Sequence, residues 1–168
     1  EKLTLAQESA TLAPPVFSQF AISTYLHQFD WRAQIVAYRD MYRGRRDAML
    51  RGLTENMPPG CTWTHPTGGF FVWLTMPEGL DSQSMLPRAV SARVAYVPGT
   101  AFYADGLGSR NMGLSFCFPG EERIVEGTRR LGEVIHDELD MLRTFGIDAG
   151  TVEAVHRDLT TGPAPDIT

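Results

Sequence analysis

One short stretch, TGGFFVWLTM at residues 67–76, constrains the fold of this chain more than any other. Aromatic and β-branched residues favour strands, and because nearly every residue after the glycines is apolar, both faces of this strand should be covered. Gly68 and Gly69 permit a tight turn, a positive φ, or the close approach of a backbone or a ligand. A turn is the commonest reason for two adjacent glycines. The stretch therefore predicts a central strand that is entered through a turn.

Composition narrows the class of protein. A chain of 168 residues, 43% of them hydrophobic, fits one domain with a sizeable core. The net charge of −5 argues against a nucleic-acid-binding surface. No stretch has the length and apolarity of a membrane span, and no signal peptide is visible. Cys61 and Cys117 are far apart, which predicts free thiols in the reducing cytoplasm. The chain opens inside a helical pattern without Met, so we expect it to belong to a longer protein.

Apolar periodicity and breaker residues predict the helices. The pattern indicates helices at about 1–13, 15–28, 31–56 and 81–93, a long one that starts near Pro119 and buries Ile124 to Leu142, and a short one at 151–159. Asp30 is the expected N-cap of the third helix, and Asp81 or Ser82 that of the fourth. The first two helices carry apolar faces with few charges, so we expect them to require a partner surface.

The strands complete the predicted architecture. Residues 61–64 and 69–76 should form a hairpin, and further strands are expected at 94–97 and 111–118, separated by a loop at 100–109. This order predicts an α+β fold: a small, mainly antiparallel sheet with helices packed on one side. We assign residues 1–30 to linker helices, 31–146 to the domain itself and 147–168 to a partly disordered extension.

Four motifs in order carry a resemblance to a known family. They are YRDMYRGRRDAMLRGL (38–53), PTGGFFVWLTMPEGL (66–80), VAYVPGTAFYADG (94–106) and NMGLSFCFPGEERIVEGTRRLGEVI (111–135). Together they resemble the C-terminal small domain of class I/II aminotransferases, the fold-type I enzymes that use pyridoxal phosphate. The resemblance is to the branch with 2-aminoadipate and aromatic aminotransferases and the aminotransferase-like half of MocR-type regulators. Residues 1–26 resemble the linker that leaves the large domain.

The resemblance implies that the cofactor machinery lies elsewhere. In the family, the cofactor lysine, the aspartate at the pyridine nitrogen and the phosphate site all belong to the large domain. Lys2 is the single lysine here and lies in the linker, where the family carries no cofactor lysine. We therefore expect no catalytic, cofactor-binding or metal-binding residue in this chain, and no activity from it alone. The expected partner is a large pyridoxal phosphate-binding domain, in the same or a separate chain, within a homo-oligomer such as a dimer.

The resemblance also implies which residues of this chain lie near the substrate. The family grips the substrate α-carboxylate with an arginine on the last strand, just before the L-S-F of the fourth motif. Gly113 stands at that position here, and Arg110, three residues earlier, is expected in a surface loop. The candidate substrate-binding residues are Gly69, Phe70, Phe102, Arg110 and Gly113.

Three functions are compatible with these features. The first is the small-domain part of an aminotransferase for amino acids and 2-oxo acids. The second is a divergent member with another pyridoxal phosphate reaction, as Gly113 suggests. The third is a non-catalytic ligand-sensing domain of a MocR-like regulator. A cofactor-lysine segment upstream would favour the first two, and a winged-helix segment the third.

Overall fold

The computed structural model describes residues 2–11, 15–104 and 107–145. The chain divides into two compact units, Glu1–Met41 and Tyr42–Thr168, with the boundary inside the long third helix. The predicted extension at 147–168 and its short helix lie outside the described residues. The domain boundary predicted at residue 30 stays a prediction.

The first unit contains α1 (Lys2–Thr11), α2 (Val16–Gln28) and the first turns of α3 (Trp31–Asn56). Asp30 caps α3 as predicted, because its Oδ1 accepts a hydrogen bond of 3.1 Å from the backbone N–H of Ala33. Helix α2 has apolar side chains on every side, and Phe17 and Phe20 are 84% and 69% exposed. A helix that is apolar all round is typical of one covered by other protein.

The second unit is built on a four-stranded sheet. Its strands are β1 (Thr62–Trp63), β2 (Phe71–Thr75), β3 (Val97–Pro98) and β4 (Asn111–Ser115), in the order β1-β2-β4-β3. Every neighbouring pair is antiparallel, and Gly113 of β4 lies opposite both Trp73 of β2 and Val97 of β3. The predicted hairpin and the predicted antiparallel sheet are therefore confirmed.

One face of the sheet carries the core. Val72 and Leu74 of β2 and Met112 and Leu114 of β4 are buried, as alternate residues of a half-covered strand should be. They pack in one hydrophobic cluster with residues of three helices: Ala48, Met49 and Leu53 of α3, Met85 and Ala89 of α4 (Ser82–Ser91), and Ile124, Leu131 and Ile135 of α5 (Glu121–Phe145). The helices thus cover one side of the sheet, as predicted.

Glycines bring α3 and α5 into close contact. A Cβ on Gly132 of α5 would overlap the backbone carbonyl of Asn56 at the end of α3, and a Cβ on Gly52 would overlap the Thr128 side chain. Thr128 is buried, and its hydroxyl donates to the Val125 carbonyl. The two helix backbones can approach this closely because neither glycine has a side chain.

The strand predicted at 94–97 forms, but its predicted bounds were wrong, since it spans Val97–Pro98. Helix α4 ends in a Schellman motif, in which the Val94 N–H donates to the Ala89 carbonyl at 2.9 Å and Arg93 takes φ +60°. Tyr96 then turns inward, and its hydroxyl donates to the Ser82 carbonyl at 2.6 Å. The segment is thereby held away from β4 until Val97, so only Val97 and Pro98 pair. The predicted loop begins with a 3-10 helix at Gly99–Phe102, and β4 ends at Ser115 rather than 118.

Candidate functional site: the outer face of the sheet

The face of the sheet opposite the core holds most of the candidate residues. Phe71 and Trp73 of β2 and Asn111, Gly113 and Ser115 of β4 occupy the strand positions that alternate with the core residues. Phe71 is 52% exposed and Trp73 is half-buried. This face is therefore partly exposed and carries two aromatic residues, so the prediction that both faces of the strand are covered was wrong within the second unit.

An aromatic cluster covers Gly113. A Cβ on Gly113 would lie 3.5 Å from Cζ3 of Trp73, which is ordinary van der Waals contact. The Trp73 indole meets Phe102 edge-on, with ring centroids 5.3 Å apart, and lies 6.4 Å from the Tyr103 ring. Edge-to-face pairs at such distances are favourable. We call Trp73, Phe102 and Tyr103 the aromatic face.

Polar groups border the aromatic face at the start of β4. The Asn111 amide lies within hydrogen-bond distance of the Thr75 hydroxyl, at 3.3 Å, and of the Tyr103 hydroxyl, at 3.4 Å. Gly99 packs against Asn111 so closely that a Cβ there would stand 2.7 Å from the Asn111 carbonyl oxygen. The chain reversal after β3 therefore fixes Asn111 and, through it, Tyr103.

Gly69 and Phe70 lie where β2 begins. Gly69 has φ +80°, and a Cβ there would meet nothing within 4 Å, so backbone conformation accounts for this glycine. Phe70 is 46% exposed and meets the Tyr42 ring edge-on at 4.9 Å. The Arg45 guanidinium lies 5.6 Å from the centroid of Tyr42 and donates to the Cys117 carbonyl. Phe70 thus belongs to a second ring pair, formed with α3.

Arg110 forms an ion pair at the turn that follows β2. Its guanidinium lies 3.6 Å from the Glu78 carboxylate, and its backbone carbonyl accepts a 2.8 Å hydrogen bond from the Met76 N–H. The Arg110 side chain is 44% exposed. Arg110 is therefore a surface arginine, as expected. Its ion pair with Glu78 holds its charge at the turn that follows β2.

The structure brings Phe102 and Gly113 together through Trp73, whereas Phe70 and Arg110 occupy other places. Sequence reasoning missed Trp73, Tyr103 and Asn111 as neighbours of Gly113. Cross-strand register was the missing signal, since it alone puts Trp73 opposite Gly113.

The described residues form neither a metal-binding cluster nor a membrane-spanning helix. Within residues 2–11, 15–104 and 107–145, no group of three or more His, Cys, Asp or Glu residues could hold a metal ion. No helix in the described part of the chain is long and apolar enough to cross a bilayer.

Comparisons with known proteins give the family. No family model matches the chain. The chain is 44% identical to aromatic-amino-acid aminotransferase 1 of Thermococcus litoralis over 82% of its own residues and 33% of that protein. It is 37% identical to 2-aminoadipate transaminase of Thermus thermophilus over 80% of its residues and 34% of that protein. The chain thus spans about a third of the length of these curated relatives.

Comparison with solved structures also finds aminotransferases. The fold superimposes on Pyrococcus horikoshii kynurenine aminotransferase with a TM-score of 0.77 and 44% identity, over 82% of this chain and 34% of that one. The sheet of four antiparallel strands with helices on one side is the architecture of aminotransferase C-terminal domains. The chain therefore belongs to the aminotransferase family and has the fold of its C-terminal domain.

Proposed function

We propose that this chain is the small-domain part of a pyridoxal phosphate-dependent aminotransferase that acts on amino acids and 2-oxo acids. The observation that carries the proposal is the 44% identity to an aromatic aminotransferase across 82% of the chain. The agreement of the folds supports it, at a TM-score of 0.77.

The residues of this chain do not fit pyridoxal phosphate by themselves. Its single lysine, Lys2, is exposed on α1 in the first unit. The outer face of the sheet presents aromatic rings, an amide and hydroxyl groups, with no amine to hold the cofactor covalently. We therefore assign the cofactor to a large domain outside this chain.

The outer face of the sheet is the surface we propose for substrate. Phe102 belongs to the aromatic face, Gly113 lies beneath it, and Gly69 and Phe70 lie at the entry to β2. Arg110 completes the proposed set from the turn beside Glu78. Aromatic rings stack on planar or apolar groups, so this face suits a hydrophobic substrate portion better than a carboxylate.

The exposed apolar side chains of the first unit support the proposed partner. In helix α2 and its C-cap, Val16, Phe17, Phe20, Ile22 and Phe29 are at least 60% exposed. Apolar exposure on this scale usually marks an interface. We propose that a large domain covers these helices, and that the complete protein is a cytoplasmic homodimer. The thiols support a reducing compartment, because Cys61 and Cys117 are both free.

Gly113 favours a second candidate, a divergent family member with another pyridoxal phosphate reaction. A glycine at this place leaves the centre of the outer face without a cation, and Arg110 is paired elsewhere. An enzyme that does not grip an α-carboxylate from this strand could accept a different substrate end.

A chimera tests the proposal. The 138 matched residues would replace their counterpart in the Thermococcus litoralis enzyme. We expect the chimera to bind pyridoxal phosphate and to transfer the amino group of L-phenylalanine to 2-oxoglutarate. The parent enzyme is the positive control, and circular dichroism establishes folding. A folded chimera that binds the cofactor yet transfers no amino group from any tested amino acid contradicts the first candidate and leaves the second.

A further inference from the structure

A concave site lies on the helix-covered side of the sheet, and none of the residues of the aromatic face lines it. It opens between the end of α4, the last residues of β4 and the first half of α5, and its volume is about 470 Å³. That volume is within the range of about 300–1,000 Å³ for small-molecule sites. Apolar side chains form its wall: Met49, Leu114, Ile124 and Leu131. Because three arginines also line it, Arg93, Arg123 and Arg130, we call it the arginine cavity.

The charges of the arginine cavity are unbalanced. Glu126 is the one carboxylate among the lining residues, and it already accepts hydrogen bonds from Arg130 at 2.7 Å and from Arg129 at 2.8 and 2.9 Å. Arg93 and Arg123 make no side-chain hydrogen bond or ion pair with any residue that the structure describes. Two guanidiniums at one cavity are thus left without an anion.

Arg93 occupies a backbone position that suits glycine. It has φ +60° at the residue after the C-cap of α4, where the left-handed conformation usually selects glycine. It is the one non-glycine residue with positive φ in the described part of the chain. An arginine here strains the backbone and is exposed, so burial does not explain it. What it does provide is a guanidinium at the arginine cavity.

Gly127 is the opposite case: a glycine at a position where the backbone favours another residue. It lies inside α5, where glycine weakens a helix, and a Cβ there would meet nothing within 4 Å. Gly132 in the same helix has a packing reason, since it contacts Asn56, but Gly127 has none among its described neighbours. Its missing side chain keeps the arginine cavity open. Two locally unfavourable residues thus line one cavity, a pattern that is expected at functional sites.

We propose that the arginine cavity binds a small organic anion that carries a carboxylate or phosphate group. Guanidinium groups bind the oxygens of both in paired hydrogen bonds, and Arg93 and Arg123 are available for this. The apolar wall contacts the rest of the ligand. This site does not depend on transamination, so its test and that of the proposed function are separate.

Binding of four probes to the full 168-residue chain at low ionic strength tests the proposal. They are benzoate, phenyl phosphate, inorganic phosphate and uncharged benzyl alcohol, each titrated by calorimetry and by amide chemical shifts. We expect benzoate or phenyl phosphate to bind with a Kd of about 1 mM or tighter, with shifts at Gly127 and Arg123. The tighter of the two identifies the anionic group. Equal binding of inorganic phosphate or benzyl alcohol would contradict an organic anion as the ligand.

Four variants locate the binding. Arg93→Ala and Arg123→Gln should each weaken the better probe about tenfold or more, the usual effect of removing a charged hydrogen bond. Gly127→Leu should abolish binding by filling the cavity, whereas Gly127→Ala should bind within about threefold of the wild type. Arg51→Gln, an exposed arginine of α3 outside the lining, is the matched control and should bind normally.

Circular dichroism establishes that each variant folds. Failure of both organic anions to saturate the chain below about 10 mM would overturn the proposal, since no site of useful affinity would exist. It is also overturned if folded Arg123→Gln and folded Gly127→Leu both bind like the wild type.

Discussion

The indole of Trp73 lies against Gly113 across the β2–β4 pair, with its Cζ3 atom 3.5 Å from where a Cβ of residue 113 would stand. That distance is ordinary van der Waals contact, so an alanine methyl at 113 would touch the indole without displacing the strand. The centre of the outer face is thus aromatic and uncharged.

Two glycines of α5 should respond oppositely to alanine. In Gly132→Ala the new methyl overlaps the Asn56 carbonyl, which is backbone and cannot move aside, so we expect a loss of roughly 1–3 kcal/mol in the free energy of unfolding. Gly127→Ala has open space and gains helix propensity, so it should be stabilised by about 0.5–1 kcal/mol. Urea denaturation measures both. Equal effects of the two changes would show that α3 and α5 are not in this contact.

Arg93→Gly should stabilise the chain. Glycine relieves the left-handed strain, which costs a non-glycine residue roughly 1–2 kcal/mol, but it also raises the entropy of the unfolded chain. We expect a net gain of about 0.5–1 kcal/mol by urea denaturation. Arg93→Ala keeps the strain and removes the same guanidinium, so it is the matched control and should show no gain. A gain in Arg93→Ala as large as that in Arg93→Gly would assign the effect to charge instead.

Local chemistry was enough to predict much of this fold. Asp30 was predicted as the N-cap of α3, and Asp81 or Ser82 as that of α4, because a short acceptor precedes an apolar-periodic run; Asp30 and Asp81 accept the expected backbone hydrogen bonds. The bounds of α3 agree with the prediction, since Pro58 and Pro59 follow its end.

Features that depend on distant residues were not predictable in this way. The inward turn of Tyr96 depends on a carbonyl 14 residues earlier, and it shortens β3. The contact of Trp73 with Gly113 depends on strand register, which the apolar run at 70–76 does not reveal because both of its faces read as buried. The arginine cavity combines residues of α3, β4 and α5 with the segment that follows α4, and charge patterning along α5 alone indicates only a solvated face.

The Glu126 carboxyl should have a pKa well below the usual value for glutamate. Hydrogen bonds from Arg129, and then from Arg130, lower its pKa from 4.5 to about 2. Because the folded-state pKa is depressed, the stability that this group contributes is fully present above pH 4.5 and is lost as the pH falls towards 2. Carbon-detected NMR titration of the Glu126 carboxyl measures this directly. Arg129→Gln should return the pKa towards 4.5, whereas Arg143→Gln, whose arginine pairs with Asp140, should not. An unshifted Glu126 in the wild type would refute the pairing.

The chain alone should not form a specific adduct with pyridoxal phosphate. Lys2 is its single lysine and is exposed, so nothing around it selects the cofactor. After treatment with pyridoxal phosphate and borohydride, peptide mapping should show only sub-stoichiometric labelling of Lys2 and of the N-terminal amine. A stoichiometric adduct on Lys2 that is accompanied by transaminase activity would mean that this chain holds its own cofactor site.

We propose that the outer face around Gly113 contacts the substrate, and that the described residues of this face supply no cation. Steady-state kinetics of the chimera with the substitution Gly113→Arg test it most directly. An arginine there supplies a charged bidentate contact of roughly 1.5–3 kcal/mol, so KM for L-phenylalanine should fall about ten- to a hundredfold. If Gly113→Arg instead leaves KM unchanged while Arg110→Ala raises it tenfold or more, the carboxylate is held at the Glu78 turn and the claim is wrong.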